Sequence, residues 1–234
     1  MKKGFVLVLL AVLFSAFAVF GAAEGEGIVV QSSCSIVQSG EYYLVYCYAQ
    51  VHNNSDQVIC LEQGRFDLQN GEQLLSTNRI TQLWPHFINP GEDGYVFDIV
   101  SFEPNEDGVV VPQVTGINYQ IDYMTVDPAY GNFELEVNAS IEQEREDSKL
   151  TIICEVSNPT DMDAYDPAVT FGLYTAEGRL VYADGMTLQS VGIPAGGKTL
   201  VRFDVDEVFV AQWKSYNAMP AEVRVSATFR RDED

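Results

Sequence analysis

The chain has 234 residues, a hydrophobic fraction of 47% and a formal net charge of −21, from 13 basic and 34 acidic residues. Nucleic acids and anionic membranes are bound mainly through basic side chains, so this charge excludes both as expected partners. The acidic residues are spread along the chain, which excludes a disordered acidic tail. The length suits two domains of ordinary size.

The N-terminus has the pattern of a secretory signal peptide. Lys2 and Lys3 precede an uncharged apolar run that ends in Gly21, Ala22 and Ala23. The alternative is an uncleaved anchor, because about 20 uncharged residues can span a bilayer. Small residues stand where signal peptidase cuts, which favours cleavage after Ala23. We therefore predict an extracytoplasmic protein, secreted or held at the cell envelope, with no membrane insertion after cleavage.

The remaining sequence repeats itself at a spacing of 105 to 106 residues. Five residues recur at an offset of 105: Asn53, Phe66, Leu68, Ile88 and Gly91 are matched by Asn158, Phe171, Leu173, Ile193 and Gly196. The last predicted strand of each copy matches at an offset of 106, so one inserted residue explains the difference. The repeat predicts a signal peptide over 1–23, a first domain over 24–127 and a second over 128–234.

Each copy has the pattern of antiparallel strands separated by turns. Apolar residues occupy every second position, as in Tyr43, Val45 and Cys47, and β-branched and aromatic residues are frequent. Tyr46 and Tyr48 add bulk on the opposite face of that run, which predicts burial on both faces. Gly-containing turns separate about seven such runs per copy, the number in an immunoglobulin-like sandwich. The predicted fold is all-β, with two tandem immunoglobulin-like antiparallel β-sandwich domains.

Two segments depart from the repeat just before the last strand of each copy. Residues 206–221 are predicted to contain a short helix, because Val205, Phe209 and Trp213 are spaced four apart. Residues 101–116 contain prolines and a glycine that exclude a helix of any length. Such divergent loops are a usual place for function, and neutral drift is the alternative.

The strand from Phe171 to Tyr174, with its following Gly178 turn, carries a family resemblance. The sequence Phe-Gly-Leu-Tyr-Thr-Ala-Glu-Gly resembles the signature of the FxLYD family of bacterial extracellular domains. Thr175 stands where that signature has Asp. The resemblance is clearest over 133–230 and looser over 28–126. It implies an immunoglobulin-like sandwich on an exported protein, and it brings no catalytic or ligand residues.

The four cysteines are unevenly distributed, with three in the first copy and Cys154 alone in the second. If a turn near residues 38–43 closes the first hairpin, Cys34 and Cys47 face each other and a disulfide between them is geometrically plausible. Cys60 is the competing partner, and a fully reduced protein is the other alternative. Cys154 is expected to be a buried free thiol.

An acidic loop follows Asn158 in the second copy. Asp161, Asp163 and Asp166 place three carboxylates within six residues, and such oxygen ligands suit a hard cation such as calcium. The full calcium-loop pattern is missing, so a solvated loop with Asp-rich turns is the favoured alternative. No other cofactor is predicted.

Aromatic side chains are the candidates for ligand contact. Trp84 and Phe87 lie in the first copy, and Trp213 and Tyr216 lie in the divergent segment of the second. Exposed aromatics on a sandwich would indicate contact with carbohydrate or protein, and burial in the core is the alternative.

The two histidines, His52 and His86, match no known catalytic spacing, and the second copy has no histidine. The sequence therefore predicts no catalytic residues and a secreted, non-enzymatic protein. Its predicted role is to bind an extracellular protein or glycan, or to act as a structural spacer at the cell envelope. The alternative is a cation-dependent or carbohydrate-binding module.

Overall fold

A computed structural model describes residues 28–103, 112–143, 145 and 148–230. It is 63% strand and 6% helix, which confirms the predicted all-β sandwich fold of antiparallel sheets. The predicted signal peptide over 1–23 lies outside the described residues. Among the residues that are described, no helix combines the length and apolar character needed to cross a bilayer.

The first half of the described chain contains two antiparallel sheets. Its strands are β1 (Ile28–Ser39), β2 (Tyr42–Asn53), β3 (Val58–Asn70), β4 (Gln73–Arg79), β5 (Leu83–Trp84), β6 (Phe87–Ile88), β7 (Asp93–Phe102) and β8 (Gly116–Val126). One sheet has the order β1-β2-β7-β5, and in the other β3 pairs with β4, β6 and β8. The turn between β1 and β2 contains Gly40, whose φ of 63° favours glycine.

The second half follows a 3₁₀ turn at Pro128–Tyr130. Its elements are β9 (Phe133–Glu134), β10 (Glu136–Glu142), β11 (Leu150–Ser157), β12 (Ala164–Tyr165), β13 (Ala168–Tyr174), β14 (Leu180–Thr187), β15 (Gly192–Ile193), β16 (Lys198–Val205), α1 (Glu207–Ser215) and β17 (Glu222–Phe229). Its sheets have the orders β10-β11-β16, β14-β13-β17-β9 and β12-β15.

The strand pairing repeats along with the sequence. The order β1-β2-β7 reappears as β10-β11-β16, and β3 lies between β4 and β8 as β13 lies between β14 and β17. No sheet within the described ranges contains strands from both halves. The sequence repeat therefore encodes a repeated strand order. The domain boundary between residues 127 and 128 stays a prediction, and it coincides with the 3₁₀ turn.

The repeated asparagines explain part of the repeat physically, because each organises the same turn. The Nδ2 of Asn158 donates to the carbonyls of Met162 and Ile193 at 2.7 and 2.9 Å, while its Oδ1 accepts from the backbone N and Oγ1 of Thr160. Asn53 makes the same four bonds at the same sequence separations, to Gln57, Ile88 and Ser55. Both asparagines are buried. A buried amide that satisfies all these groups specifies the turn in each half.

Each half has its own buried cluster; Cys47 and Cys154 lie in these clusters, and Cys34 packs partly buried against that of the first half. Cys34 and Cys47 are directly opposed on β1 and β2, as the hairpin register predicts. Both are free thiols, as are Cys60 and Cys154, so the predicted disulfide is wrong. Burial raises the pKa of Cys34 to about 12 and that of Cys47 well above its usual value. The thiolate that forms disulfides is therefore strongly disfavoured at both positions.

Cys154 is the buried free thiol that the sequence predicts. Burial raises its pKa to about 11. It lies on β11 in the cluster of the second half, where it packs as a small apolar residue.

Candidate functional site

The two halves meet at an aromatic junction. Tyr48 on β2 and Tyr95 on β7 belong to the buried cluster of the second half, although their strands belong to the first. The ring centroids of Tyr48 and Tyr182 are 5.1 Å apart, and the hydroxyl oxygens of Tyr95 and Tyr174 are 3.0 Å apart. Burial of Tyr48 on the far side of β2 from Cys47 confirms the predicted two-sided burial of that strand. Residues of the second half cover this outer face of β2.

Gly172 makes room for this junction. A Cβ added there would lie 2.6 Å from Cε1 of Tyr95, which is far inside van der Waals contact. Gly172 occupies the variable position of the Phe-x-Leu-Tyr strand, and Tyr174 lies two residues further along the same strand. The first copy has Asp67 and Gln69 at the matching positions. The junction therefore uses residues that the repeat does not share.

Helix α1 confirms the predicted helix in residues 206–221. Its N-cap is Asp206, whose carboxylate accepts from the backbone N of Val208 at 2.9 Å. Phe209 packs edge-on against Tyr46 of β2 at 4.8 Å, and the side-chain amide of Gln212 donates to the carbonyl of Ile36 at 2.9 Å. The divergent segment of the second copy thus holds the two halves together. The predicted loop over 101–116 is non-helical at its described ends, and residues 104–111 lie outside the described part.

Trp213 does not belong to the predicted ligand-contact surface, whereas the contact role of the partly buried Tyr216 stays a prediction. Trp213 is fully buried, with its ring 6.0 Å from Tyr182 and 6.2 Å from Phe209. Tyr216 is the C-cap residue of α1 and packs partly buried against the same cluster. The helix turns its apolar face, including Trp213, into the core, so the predicted binding role is wrong for Trp213.

Trp84 and Phe87, the other two predicted contact residues, line a cleft of about 240 Å³ between the halves. We call it the aromatic cleft. Its other lining residues are Pro85, His86, Asn132, Tyr165, Asp166, Ala168, Thr187, Thr228, Phe229 and Arg230. Trp84 and Phe87 are half-buried, whereas the side chain of Tyr165 is 57% exposed. The peptide bond between Trp84 and Pro85 is cis. Aromatic surface from both halves is thus presented to one opening.

Hydrogen bonds of two asparagines, Asn132 in the lining of the aromatic cleft and Asn89 in the β6–β7 turn, hold Phe87 next to the second half. Asn132 donates from Nδ2 to the carbonyl of Phe87 at 2.5 Å. Asn89 donates from its own Nδ2 to the carbonyl of Asn132 and accepts from its backbone N, both at 3.2 Å. These bonds cross from the β6–β7 turn to the segment before β9. The relative position of Phe87 and the second half is therefore set by directional bonds.

Charged groups at the rim of the aromatic cleft are balanced. The guanidinium carbon of Arg230 lies 4.0 Å from the centroid of the Phe87 ring. Asp166, with a φ of 45°, accepts through Oδ1 from the backbone N of Ser190. Apolar ring faces beside one cation, one anion and an amide suit a small neutral group with hydroxyls, or an apolar side chain of a partner.

A second cleft, of about 290 Å³, lies on the same junction and is polar. We call it the polar cleft. Glu92 and Asp93 of the first half face Glu134 and Arg224 of the second across it. Burial and the hydrogen-bonded carboxyl of Glu134 raise the pKa of Glu92 to about 7. Two carboxyl groups in contact cannot both ionise without a large electrostatic cost.

The acidic loop does not form the predicted calcium site. Within the described residues, no group of three or more His, Cys, Asp and Glu side chains could hold a metal ion. Asp163 accepts through Oδ1 from the backbone N of Ala195 at 3.0 Å, and Asp166 is bonded to Ser190. These carboxylates tie their loop to the neighbouring one, so Asp161, Asp163 and Asp166 do not converge.

Sequence reasoning missed most of the residues that complete the two clefts. Tyr165 and Arg230 were hidden because both are far from Trp84 in sequence, and they are also 65 residues apart from each other. Glu92 carried one usable signal: it stands beside Gly91, where the second copy has Gly197. A carboxylate at a turn position where the other copy has glycine indicates that the common fold does not require a glycine there.

Comparisons with known proteins add little to this geometry. No family model matches the chain, and no curated protein matches it. Among solved structures, a transglutaminase from red sea bream matches with a TM-score of 0.24 and 11% identity. The match covers 86% of this chain and 31% of that chain, so this chain spans under a third of its length.

One sequence-based prediction is corrected by that match. The matched structure is an enzyme, which contradicts the prediction of a non-enzymatic protein, and that prediction is withdrawn. A TM-score of 0.24 at 11% identity assigns no reaction, substrate or catalytic residue to this chain.

Proposed function

We propose that this is an exported binding protein of the cell envelope that holds an extracellular glycan in the aromatic cleft. The observation that carries the proposal is the cleft itself, where Trp84, Phe87 and Tyr165 from the two halves face one opening. Binding sites commonly lie between domains, where a few polar groups stand among apolar and aromatic walls.

The chemistry of the aromatic cleft favours a sugar over a charged ligand. Aromatic ring faces at Trp84 and Tyr165 offer the flat apolar surface on which the C–H face of a pyranose stacks. Asp166, Asn132 and His86 add groups that bond hydroxyls at the rim. Arg230 and Asp166 line the aromatic cleft with opposite charges, which suits a neutral saccharide better than a charged ligand. A protein partner that inserts one apolar side chain is the alternative.

The packing of the halves supports binding over spacing. β14 contacts β1, β2 and β7, and Tyr48, Tyr95, Tyr174 and Tyr182 are buried between the halves. A spacer gains reach from domains that touch only at their ends, whereas these halves share a broad face. The side-by-side contact instead creates two clefts that neither half has alone.

Export and the FxLYD relationship belong to the same proposal. The lysine-led apolar start of the chain and its small residues before Glu24 support cleavage after Ala23. In the resembling strand, Thr175 caps the turn that follows, because its Oγ1 accepts from the backbone N of Glu177 at 3.3 Å and of Arg179 at 3.4 Å. An Asp side chain would cap the turn in the same way. Mass spectrometry of the exported protein should therefore find an N-terminus at Glu24, and a retained leader would contradict the export proposal.

The glycan proposal is tested with the mature chain on a glycan array, followed by calorimetric titration of the best ligand. Tyr165→Ala is the first variant, because its exposed side chain can be removed with little effect on folding. We expect it to weaken binding at least ~10-fold, as for an aromatic contact worth over ~1.4 kcal/mol. Trp84→Ala should weaken binding by at least as much.

Tyr42→Ala is the matched control, since Tyr42 is 46% exposed and does not line the aromatic cleft. It should bind like the unaltered protein. Unchanged affinity in both cleft variants would overturn the assignment of the site. If no glycan binds and an envelope protein binds in a manner that depends on Tyr165, the proposed ligand class is overturned. The assignment of the aromatic cleft as the binding site would then still hold.

A further inference from the structure

The sheet formed by β4, β3 and β8 carries two neighbouring arginines on its outer face. Arg65 on β3 and Arg79 on β4 are direct Cα partners in the antiparallel ladder, and both side chains are exposed. We call them the arginine pair. The Cβ atoms of residues that oppose each other in this way lie about 5 Å apart, and like charges at such positions repel. The arginine pair is therefore unfavourable by itself, and an anion between the two guanidinium groups would relieve the repulsion.

The protein itself does not neutralise the arginine pair. Five other cationic side chains have a carboxylate partner among the described residues: Lys149, Arg179, Lys198, Arg202 and Arg224. No carboxylate in the described part of the chain pairs with Arg65 or Arg79, although the sequence has 34 acidic residues. Asp122 is nearby without forming an ion pair, and nearby Asp67 accepts from Thr77 Oγ1 at 2.7 Å. In so acidic a protein, two adjacent unpaired arginines point to an anion supplied from outside.

The donors of the arginine pair are available to such an anion. Nε of Arg65 donates to Oε1 of Gln120 at 2.8 Å, which positions its guanidinium and leaves the terminal nitrogens free of described acceptors. Both arginines line a cleft of about 520 Å³, together with Gln63, Gly64, Gln120 and Asp122. We call it the arginine cleft. The planar fork of donors on a guanidinium matches the oxygens of a carboxylate or a sulfate group.

A linking cleft joins the arginine cleft to the aromatic cleft. It has a volume of about 260 Å³, and it shares Gln63 and Arg79 with the arginine cleft. It also shares Trp84 and His86 with the aromatic cleft. The chain between Arg79 and His86 therefore borders three adjoining clefts. Such a row of clefts suits an oligosaccharide of several sugar units better than a single sugar.

We propose that the arginine pair binds a carboxylate or sulfate group of the same glycan whose neutral part lies in the aromatic cleft. The ligand is then an oligosaccharide with at least one neutral and one anionic sugar unit. This inference rests on the proposed function and adds the ligand class and a second contact site. The net charge of −21 is compatible with it, because charges farther away than about 8 Å are largely screened at physiological salt.

The direct test is NMR of the arginine side chains in isotope-labelled mature protein, titrated separately with glucuronate, a sulfated glucose and unmodified glucose. We expect the Nε–Hε signals of Arg65 and Arg79 to shift saturably with at least one charged sugar and to stay in place with glucose. Comparison of the two charged sugars decides between carboxylate and sulfate. Each signal is assigned by its disappearance in Arg65→Gln or Arg79→Gln.

Arg79→Gln should also abolish the shift at Arg65, because a single exposed guanidinium holds an anion only weakly. Arg145→Gln is the matched control: it removes the same charge from the exposed tip between β10 and β11 and should leave both shifts in place. Absence of a shift with either charged sugar, or an unchanged Arg65 shift in Arg79→Gln, would overturn the anion site.

A second measurement separates this inference from the proposed function. In calorimetric titration, Arg79→Gln should weaken the binding of acidic oligosaccharides at least ~10-fold and leave neutral ones unchanged, whereas Tyr165→Ala should weaken both. If the unaltered protein binds an acidic glycan and its neutral counterpart equally, the inference fails and the proposed function stands. If the charged sugars shift the arginine signals but Tyr165→Ala and Trp84→Ala change no affinity, the anion site stands and the proposed function fails.

Discussion

Asn53 and Asn158 show how single residues impose the repeat. Each is buried and uses its amide to join a turn to a carbonyl 35 residues further along the chain. Asp and Ser are equally common in turns, but only an amide both donates twice and accepts. The same residue therefore recurs at an offset of 105 because the same four bonds have to be made in each half.

Replacement of Asn158 by Ala should lower the free energy of unfolding by about 2–4 kcal/mol, because the buried carbonyls of Met162 and Ile193 lose their donor. Urea unfolding of the purified variant measures the change. Asn138→Ala is the control, since Asn138 is exposed on β10, and it should stay within about 0.5 kcal/mol of the unaltered protein. Equal stabilities of the two variants would contradict the role given to Asn158.

Helix α1 illustrates what the element scale adds. Its period of four places Phe209 and Trp213 on one face, which the sequence shows. That face turns inward and joins the aromatic cluster of the second half, while Gln212 reaches β1 of the first. The helix therefore contributes to the packing between the two halves, and its apolar face is not available to a ligand.

Trp213→Ala should therefore act on stability and leave glycan binding at the aromatic cleft in place. We expect a loss of about 3–5 kcal/mol, as for a large aromatic side chain removed from a core. Val208→Ala, on the exposed side of the same helix, should cost less than about 0.5 kcal/mol. Calorimetric melting compares the two variants, and a loss of binding by folded Trp213→Ala would show that the helix touches the ligand.

At the scale of the whole molecule, the two halves are joined by buried aromatic side chains rather than by the linker alone. Tyr48 and Tyr95 have no exposed surface to speak of, although both lie on the outer side of their own sheet. Exposing them would return a large apolar area to water, so separation of the halves is costly. We expect the two halves to unfold together in one transition.

Tyr48→Ala tests that expectation. It should reduce stability by about 3–5 kcal/mol and weaken the cooperation between the halves, because its ring fills the junction beside Tyr182. Scanning calorimetry should then show a broadened or divided transition in place of a single one. Tyr42→Ala alters an exposed residue at the start of the same strand, and this variant should melt as the unaltered protein does. A single sharp transition in Tyr48→Ala would show that the halves cooperate through other contacts.

The repeat, the all-β fold, the register of Cys34 with Cys47 and helix α1 could all be derived from the sequence. They depend on periodicity, turn chemistry and spacing, which act between residues near one another in the chain. The sequence also marked Tyr46 and Tyr48 as a second apolar face of β2. It did not say what covers that face.

Only the tertiary structure decided the sites. Trp84 and Phe87 gain Tyr165 and Arg230 as neighbours, Trp213 is buried in the core, and Glu92 lines one cleft with Glu134 of the other half. Each outcome depends on how two folded halves dock, and no local pattern encodes a contact between residues so distant in sequence. Docking is set by the complementary shapes of Gly172 and Tyr95 and their neighbours, which exist only after both sandwiches have formed.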